Sequence, residues 1–305
     1  MRVVDSVLPV LLLLLLGVIR GGAVNLSKWV MELGAVVYNY AFWQSFLAAS
    51  ILMVAGLLRG DARIPDMLAH WKFYIGIGLV GLAAPNLLMF QSLYYIPAGL
   101  GVVMLGLVPL MVFSISLATG AEQPDPRRLI GLIVALFGVV LIALPGGGFS
   151  QATPLLWIAA CFVAVVGYSL AAVLSQSHRP KGIGAMANAS GMMFGAAAWL
   201  SPVALATGSF SPPIPFVTAY DPYVVGHGFV AATAFTLFFT IVAMRGAVFY
   251  SQSTYVITVS GILWGMAIFG ERPAGTFWAA TAFVLLGLAL VSSRRVKPPN
   301  TPPFV

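Results

Sequence analysis

The sequence is poor in charge. Of its 305 residues, 15 are basic and 8 acidic, and 60% are apolar. A water-soluble domain carries roughly 25% charged residues. So few polar side chains cannot cover a water-facing surface, which excludes soluble enzymes and disordered chains. Cysteine is scarcer still: Cys161 is the single one and sits in an apolar run, so no disulfide framework or cysteine-based metal site can form within the chain. The acidic residues are scattered, mostly in loops, and there is no HExxH, CxxC, nucleophile elbow or Walker loop. Zinc or serine hydrolysis and ATP-driven transport therefore have no motif to run on, and no cofactor is expected. Strand-like alternation is missing as well, and in lipid only helices or closed barrels satisfy their own backbone.

What the sequence does have is long apolar runs. A bilayer core of about 30 Å takes about 20 helical residues. Hydropathy with turn punctuation predicts ten spans, near 8–30, 36–58, 72–93, 98–118, 128–145, 155–175, 185–206, 222–244, 248–269 and 275–293. The expected fold class is an all-α polytopic membrane protein, with the bilayer as its solvent and loops too short for an extramembrane domain. Breaks fall at Arg59–Arg63, Gln123–Pro126, Pro145–Gly148, His178–Lys181 and Pro212-Pro213, while Arg245-Gly246 alone separates the eighth span from the ninth. The N-terminus imitates a secretory signal, with Arg2, the run Leu11–Leu16 and Gly21-Gly22-Ala23. Arg20 directly before that small-residue stretch favours a retained first helix.

The basic residues orient the chain. With the N-terminus inside, Arg2, Arg59, Arg63, Lys72, Arg127, Arg128, Arg179, Lys181, Arg245, Arg294, Arg295 and Lys297 fall on the cytoplasmic side, and Lys28 and Arg272 opposite. Basic loops stay in the cytoplasm, so both termini are expected there, in the inner membrane. The net charge of +7 reflects this bias and does not point to nucleic acid.

The chain also repeats itself. Gly76, Gly78, Val80, Ala84 and Leu87 in the third span match Gly226, Gly228, Val230, Ala234 and Leu237 in the eighth, at an offset of 150. Ala121-Glu122 matches Gly270-Glu271, and Gly138 matches Gly287, at 149. Five spans per copy is an odd number, so the second copy, 155–293, enters the bilayer upside down relative to the first, 8–145. Inverted repeats are a transporter architecture with a substrate site near midplane between the halves. The literal dinucleotide pattern Gly76-Ile-Gly-Leu-Val-Gly81 has no strand before it, and reads as glycines that let helices approach closely.

At this point the residues resemble the drug/metabolite transporter superfamily, in particular its ten-helix EamA-type exporters. Tyr94-Tyr95-Ile96-Pro97-Ala98-Gly99 followed by Pro109 is similar to the family's third-to-fourth helix passage. Ala121-Glu122 through Gly131 and Gly138-Val139 is similar to its fourth-to-fifth junction, with Phe269-Gly270-Glu271-Arg272 and Gly287 as the second copy. The resemblance implies carrier-type movement of small metabolites, often outward, between two inverted five-helix halves. There are departures. Arg20-Gly21-Gly22 stands where the family commonly has Trp-Gly-Ser, with Lys28 and Glu32 at the matching spacing; Gln44 replaces an arginine and Thr258 a proline.

Arg20 is the most informative candidate. A guanidinium deep in a span costs at least about 2.5–3.5 kcal/mol and should face a cavity or a partner. It cannot deprotonate, and its fork suits a carboxylate or a phosphate. It reads as an anchor for an anionic substrate group, or as one half of a structural pair, with Glu271 the foremost partner, or as a side chain snorkelling to the outer interface. His227, placed near the cytoplasmic start of the eighth span, could relay protons or simply be hydrogen-bonded. Glu122 and Glu271 are expected to brace helix ends. Asn39, Gln44, Asn86, Gln91, Tyr168, Asn188, Gln252 and Thr254 could line the pathway or cross-link helices; Asn86 and Tyr168 stand out for depth, and Trp264 as a stacking wall. The expected function is a secondary carrier working by alternating access, exporting amino-acid-like or other carboxylate-bearing solutes. Rival readings are a non-transporting accessory subunit and a membrane-embedded lipid enzyme. Nothing in the sequence sets an oligomeric state.

Overall fold

A computed structural model describes residues 2–60, 63–143, 154–178, 180 and 182–292. The expected break at Pro145–Gly148, the break positions Asp61, Arg179 and Lys181, and the terminal Arg294, Arg295 and Lys297 lie outside the described residues. The chain is an all-α membrane bundle. It runs α1 (Arg2–Glu32), α2 (Val37–Leu58), a short α3 (Ile64–Ala69), α4 (Trp71–Gly78), a π-helical turn (Leu79–Ala83), α5 (Ala84–Leu93), α6 (Ala98–Leu105), α7 (Val108–Ala118), α8 (Pro126–Ala143), α9 (Leu155–His178), α10 (Ala185–Ala206), α11 (Asp221–Ser251), α12 (Ser253–Phe269) and α13 (Gly275–Ser292). Among the described residues nine segments are long and apolar enough to cross a bilayer. The expected fifth span corresponds to α8, whose far end runs into undescribed chain.

Two spans are interrupted, and prolines explain where. Proline lacks an N–H, and its ring crowds the carbonyl four residues earlier. Pro85 lies just after the π turn and four residues from Gly81; Pro109 stands four residues from Leu105, where α6 stops. The third span is therefore α4, the π turn and α5 end to end, and the fourth is α6 with α7. Between the eighth and ninth spans the helix hydrogen bonding runs almost unbroken, and the chain turns at Gly246, whose φ of 81° an L side chain rarely adopts.

Apolar contact gains little in lipid, because the tails are as apolar as leucine; helices associate through close packing of small residues and interhelical hydrogen bonds. The α8–α13 seam shows this. A β-carbon on Gly131 would lie 2.7 Å from the Gly287 carbonyl oxygen, and one on Gly138 would lie 2.6 Å from that of Ala280. The α1–α12 seam is as tight: Gly17 and Gly21 abut Val256, Ile257 and Gly261, and Ser260 Oγ donates to the Gly17 carbonyl at 3.0 Å. Further pairings join α2 to α10 and α11, α1 to α11, α4 to α10, α5 and α7 to α9, and α6 to α12. The interrupted fourth span is the most enclosed, with Leu100, Met104, Leu107 and Leu110 fully buried. It forms the centre against which α1, α9, α12 and α13 pack.

Candidate functional site

The end of the bundle where α1 begins is called the near end below, and the opposite one the far end. Arg20 is the fourteenth residue of the span Val7–Glu32 and so lies midway along it. Helical side chains lean toward the helix N-terminus, and Arg20 accordingly reaches the α11–α12 junction, where Nη1 donates to Tyr250 Oη at 2.9 Å. Its guanidinium carbon lies 5.5 Å from the Phe235 ring centroid, and Phe238 packs edge-on against Tyr250 at 4.4 Å. A cation over aromatic faces is attracted by their quadrupoles. Among the described residues Arg20 has no carboxylate partner. The expected alternatives are corrected on two points: Arg20 does not pair with Glu271, and it leans toward the near end instead of snorkelling to the outer interface.

Glu271 is engaged elsewhere. Gly270, with a φ of 63°, turns the chain sharply after α12, and the Glu271 carboxylate then meets the first backbone N–H groups of α6. Ala98 N donates to Oε1 at 2.5 Å and Gly99 N to Oε2 at 3.0 Å. The first N–H groups of a helix have no partner within it, and a carboxylate there also meets the positive end of the helix dipole. Burial pushes the Glu271 carboxyl above its ordinary pKa, against the opposing pull of those two N–H groups and Lys28. Lys28 Nζ in turn donates to the carbonyls of Leu93 at 3.2 Å and Ile96 at 2.9 Å, and lies 3.4 Å from Glu32. At the near end Glu122 is bound by the Arg128 guanidinium, which also donates to the Val291 carbonyl at 3.0 Å.

His227 requires a correction. It sits with Ser27 and Tyr40, near the C-terminal end of α1 and the start of α2, at the far end of the bundle. Span parity explains this: an eighth span starts on the side opposite the N-terminus, so His227 cannot share a side with the N-terminus. Its ring is buried and bonded to the Tyr40 hydroxyl. Ser27 Oγ donates to the Ala23 carbonyl at 3.1 Å and Tyr40 Oη donates to Ser27 Oγ at 3.0 Å. Each hydroxyl has one proton to give, which leaves His227 Nδ1 as the donor to Tyr40.

The other candidates divide. Asn86 and Tyr168 come together, with Tyr168 Oη donating to Asn86 Oδ1 at 2.8 Å across α5 and α9. Gln44 is buried on α2, where its Oε1 accepts a long 3.4 Å bond from Ser45. No described hydrogen bond joins it to Arg20. Trp264 is 40% exposed on α12, and its ring lies over Gly22 of α1. Asn188 accepts from Tyr74 Oη at 2.9 Å, tying α10 to α4 at the near end. Residues that the sequence did not single out are Tyr250 and Phe235 around Arg20, and Ser27 and Tyr40 around His227. Their partners lie 230 and 187 positions away, and no local motif carries such a signal.

Residues 7–144 match the model of the EamA-like transporter family. The first half of the chain is thus similar to an EamA-like domain. An uncharacterized transporter of Archaeoglobus fulgidus is 24% identical over 127 residues, covering 40% of this chain. The chain spans about half of that relative's length, 46%. A solved crystal structure superposes with a TM-score of 0.60 over 90% of this chain and 96% of its own, at 20% identity, which speaks to the fold alone. The matched stretch holds Arg20, Gln44, Asn86 and Glu122, whereas Tyr168, His227, Trp264 and Glu271 lie beyond it. Both partners of Arg20 thus come from the second half of the chain.

Proposed function

We propose that this protein is a secondary carrier for small anionic metabolites, in which two five-span units, 8–145 and 155–293, rock about a midplane site. The EamA-like match and the transporter-named relative support movement of a solute across a membrane. The paired helix contacts support the two units. At the 149-residue offset Gly131 corresponds to Ala280 and Gly138 to Gly287. The approach of Gly131 to Gly287 is then mirrored by that of Gly138 to Ala280, as a two-fold relation demands. Span parity argues for an inverted second unit, and the distribution of basic residues supports cytoplasmic termini in an inner-membrane protein.

The observation that carries the substrate class is Arg20: a mid-span guanidinium held by one neutral hydroxyl and an aromatic face, with no carboxylate partner among the described residues. A cation kept in a membrane at that cost is available to a substrate anion, and a carboxylate fits its fork. Export of amino-acid-like or other organic acids follows from the family resemblance and this anchor together. Counterflow in liposomes tests it: wild-type protein should exchange labelled amino acids or organic acids, and Arg20→Leu at equal incorporation should not. Flux confined to neutral or cationic solutes would overturn the reading.

A further inference from the structure

We propose that Glu271 and Asn25 form a proton-binding site that releases the far end of the bundle, a role that rests on the carrier reading above. Asn25 is fully buried on α1. Its Nδ2 donates to the carbonyls of Gly21 at 2.9 Å and Gly261 at 3.0 Å, which fixes the amide orientation. Oδ1 is left without a donor. A buried acceptor with no partner is costly and calls for a proton, a water or an ion. Oδ1 faces a niche kept open by Gly265: a β-carbon there would lie 3.3 Å from Asn25 Oδ1 and 2.6 Å from Glu271 Oε2. Two acceptors thus border one small space with no hydrogen between them. A proton on Oε2 supplies it, turning the carboxylate into a donor toward Asn25.

The groups around the niche select a proton over a metal cation. Lys28 and Glu32 on α1 act electrostatically on Glu271. The exposed Arg272 follows it in the chain, and α5, α6, α12 and α13 carry no charged residue. An ammonium already sits beside the carboxylate, and two side-chain oxygens fall short of the six or so that a hard cation collects. The burial that raises the Glu271 carboxyl's pKa favours the neutral form further. The exchange balances simply. Ionised Glu271 accepts from Ala98 and Gly99 and holds the start of α6; it takes one proton from far-side water, Oε2–H donates to Asn25 Oδ1, and the two amides lose a charged acceptor. No other bond forms or breaks.

Hydrogen exchange of the full-length protein, followed by mass spectrometry over residues 96–105 and corrected for intrinsic amide rates, tests this without any solute. A charge-assisted bond holds strongly enough to slow exchange about tenfold or more. Wild type should therefore be about tenfold or more better protected than Glu271→Gln above the transition and equal to it below. Asn25→Leu, lacking the acceptor for the neutral form, should shift the transition to lower pH. Glu271→Asp, which still titrates, serves if Glu271→Gln does not fold. A protection independent of pH, a transition that survives in Glu271→Gln, an unmoved transition in Asn25→Leu, or protection that follows sodium at constant pH would overturn the proposal. Counterflow activity with a flat exchange profile would sink the proton site and leave the carrier standing.

Discussion

Replacing Arg20 separates substrate anchoring from simple packing. Arg20 spends one of its five N–H donors on Tyr250, so a bound carboxylate can be added without breaking that bond. A hydrogen bond to a charged group is worth about 1.5–3 kcal/mol, and two in a fork would tighten binding by about a hundredfold or more. Arg20→Leu should therefore raise the half-saturating concentration of a carboxylate solute about a hundredfold or abolish counterflow, at unchanged incorporation. Arg20→Lys keeps the charge and loses the fork, and should recover part of the affinity. Tyr250→Phe removes a positioning contact and should weaken transport less than Arg20→Leu does. Because arginine stays protonated at any working pH, the loss in Arg20→Leu should not vary with pH beyond the titration of the solute itself. The informative assay is proteoliposome counterflow with ligand-induced thermal shift on the same preparations. If Arg20→Leu binds a transported anion as tightly as wild type does, the guanidinium is a structural group and the substrate class falls with it.

Other perturbations probe the scaffold and the ends. Gly131→Ala and Gly138→Ala force a methyl onto a facing carbonyl and should each destabilise by about 1–3 kcal/mol, whereas Gly76→Ala, with open space around it, should be neutral or slightly stabilising; detergent thermal unfolding separates them. Tyr40→Phe leaves buried His227 Nδ1 without its acceptor and should cost about 1–3 kcal/mol in the same assay; an unchanged midpoint would refute the Ser27–Tyr40–His227 chain. Glu271 has a folded pKa raised above its unfolded value, so the folded state binds more protons in that interval. Its contribution is present in full below the unfolded pKa and is lost as pH rises through the folded one. The stability of wild type relative to Glu271→Gln should accordingly fall with rising pH across that window.

The span limits were legible because the bilayer imposes a one-dimensional rule. Charge, glycine and proline punctuate apolar runs, and segments such as Ala98–Ala118 and Ala185–Ala206 end where that punctuation stands. Pro85 and Pro109 even mark where two spans are interrupted. Partner choice was not legible, since a helix apolar on all sides does not disclose which face meets which neighbour. Trp264 illustrates the point: nothing along α12 discloses that its ring lies over Gly22 of α1. His227 was misplaced for a different reason. Its side follows from counting spans, and the count itself puts the start of an even span opposite the N-terminus. Arg20 stood out because its cost in lipid is large enough to be read without knowing its neighbours.

The two glutamates that match at the 149-residue offset are held differently, and the difference lies in one position. Arg128, which binds Glu122, corresponds at the 149-residue offset to Phe277, a fully buried apolar residue. Glu271 thus has no guanidinium at the matching position to claim it and reaches the N–H groups of Ala98 and Gly99 instead. A guanidinium keeps its charge at every physiological pH, whereas a helix cap made by a carboxylate lasts only while the carboxylate is ionised. If Glu271 takes up a proton as proposed, the hold on the start of α6 at the far end varies with pH. Introducing Phe277→Arg should then shift Glu271 from the α6 start to the new cation and remove the pH dependence of exchange at Ala98 and Gly99. Persistence of that dependence would mean that the asymmetry between the two ends does not originate in Arg128.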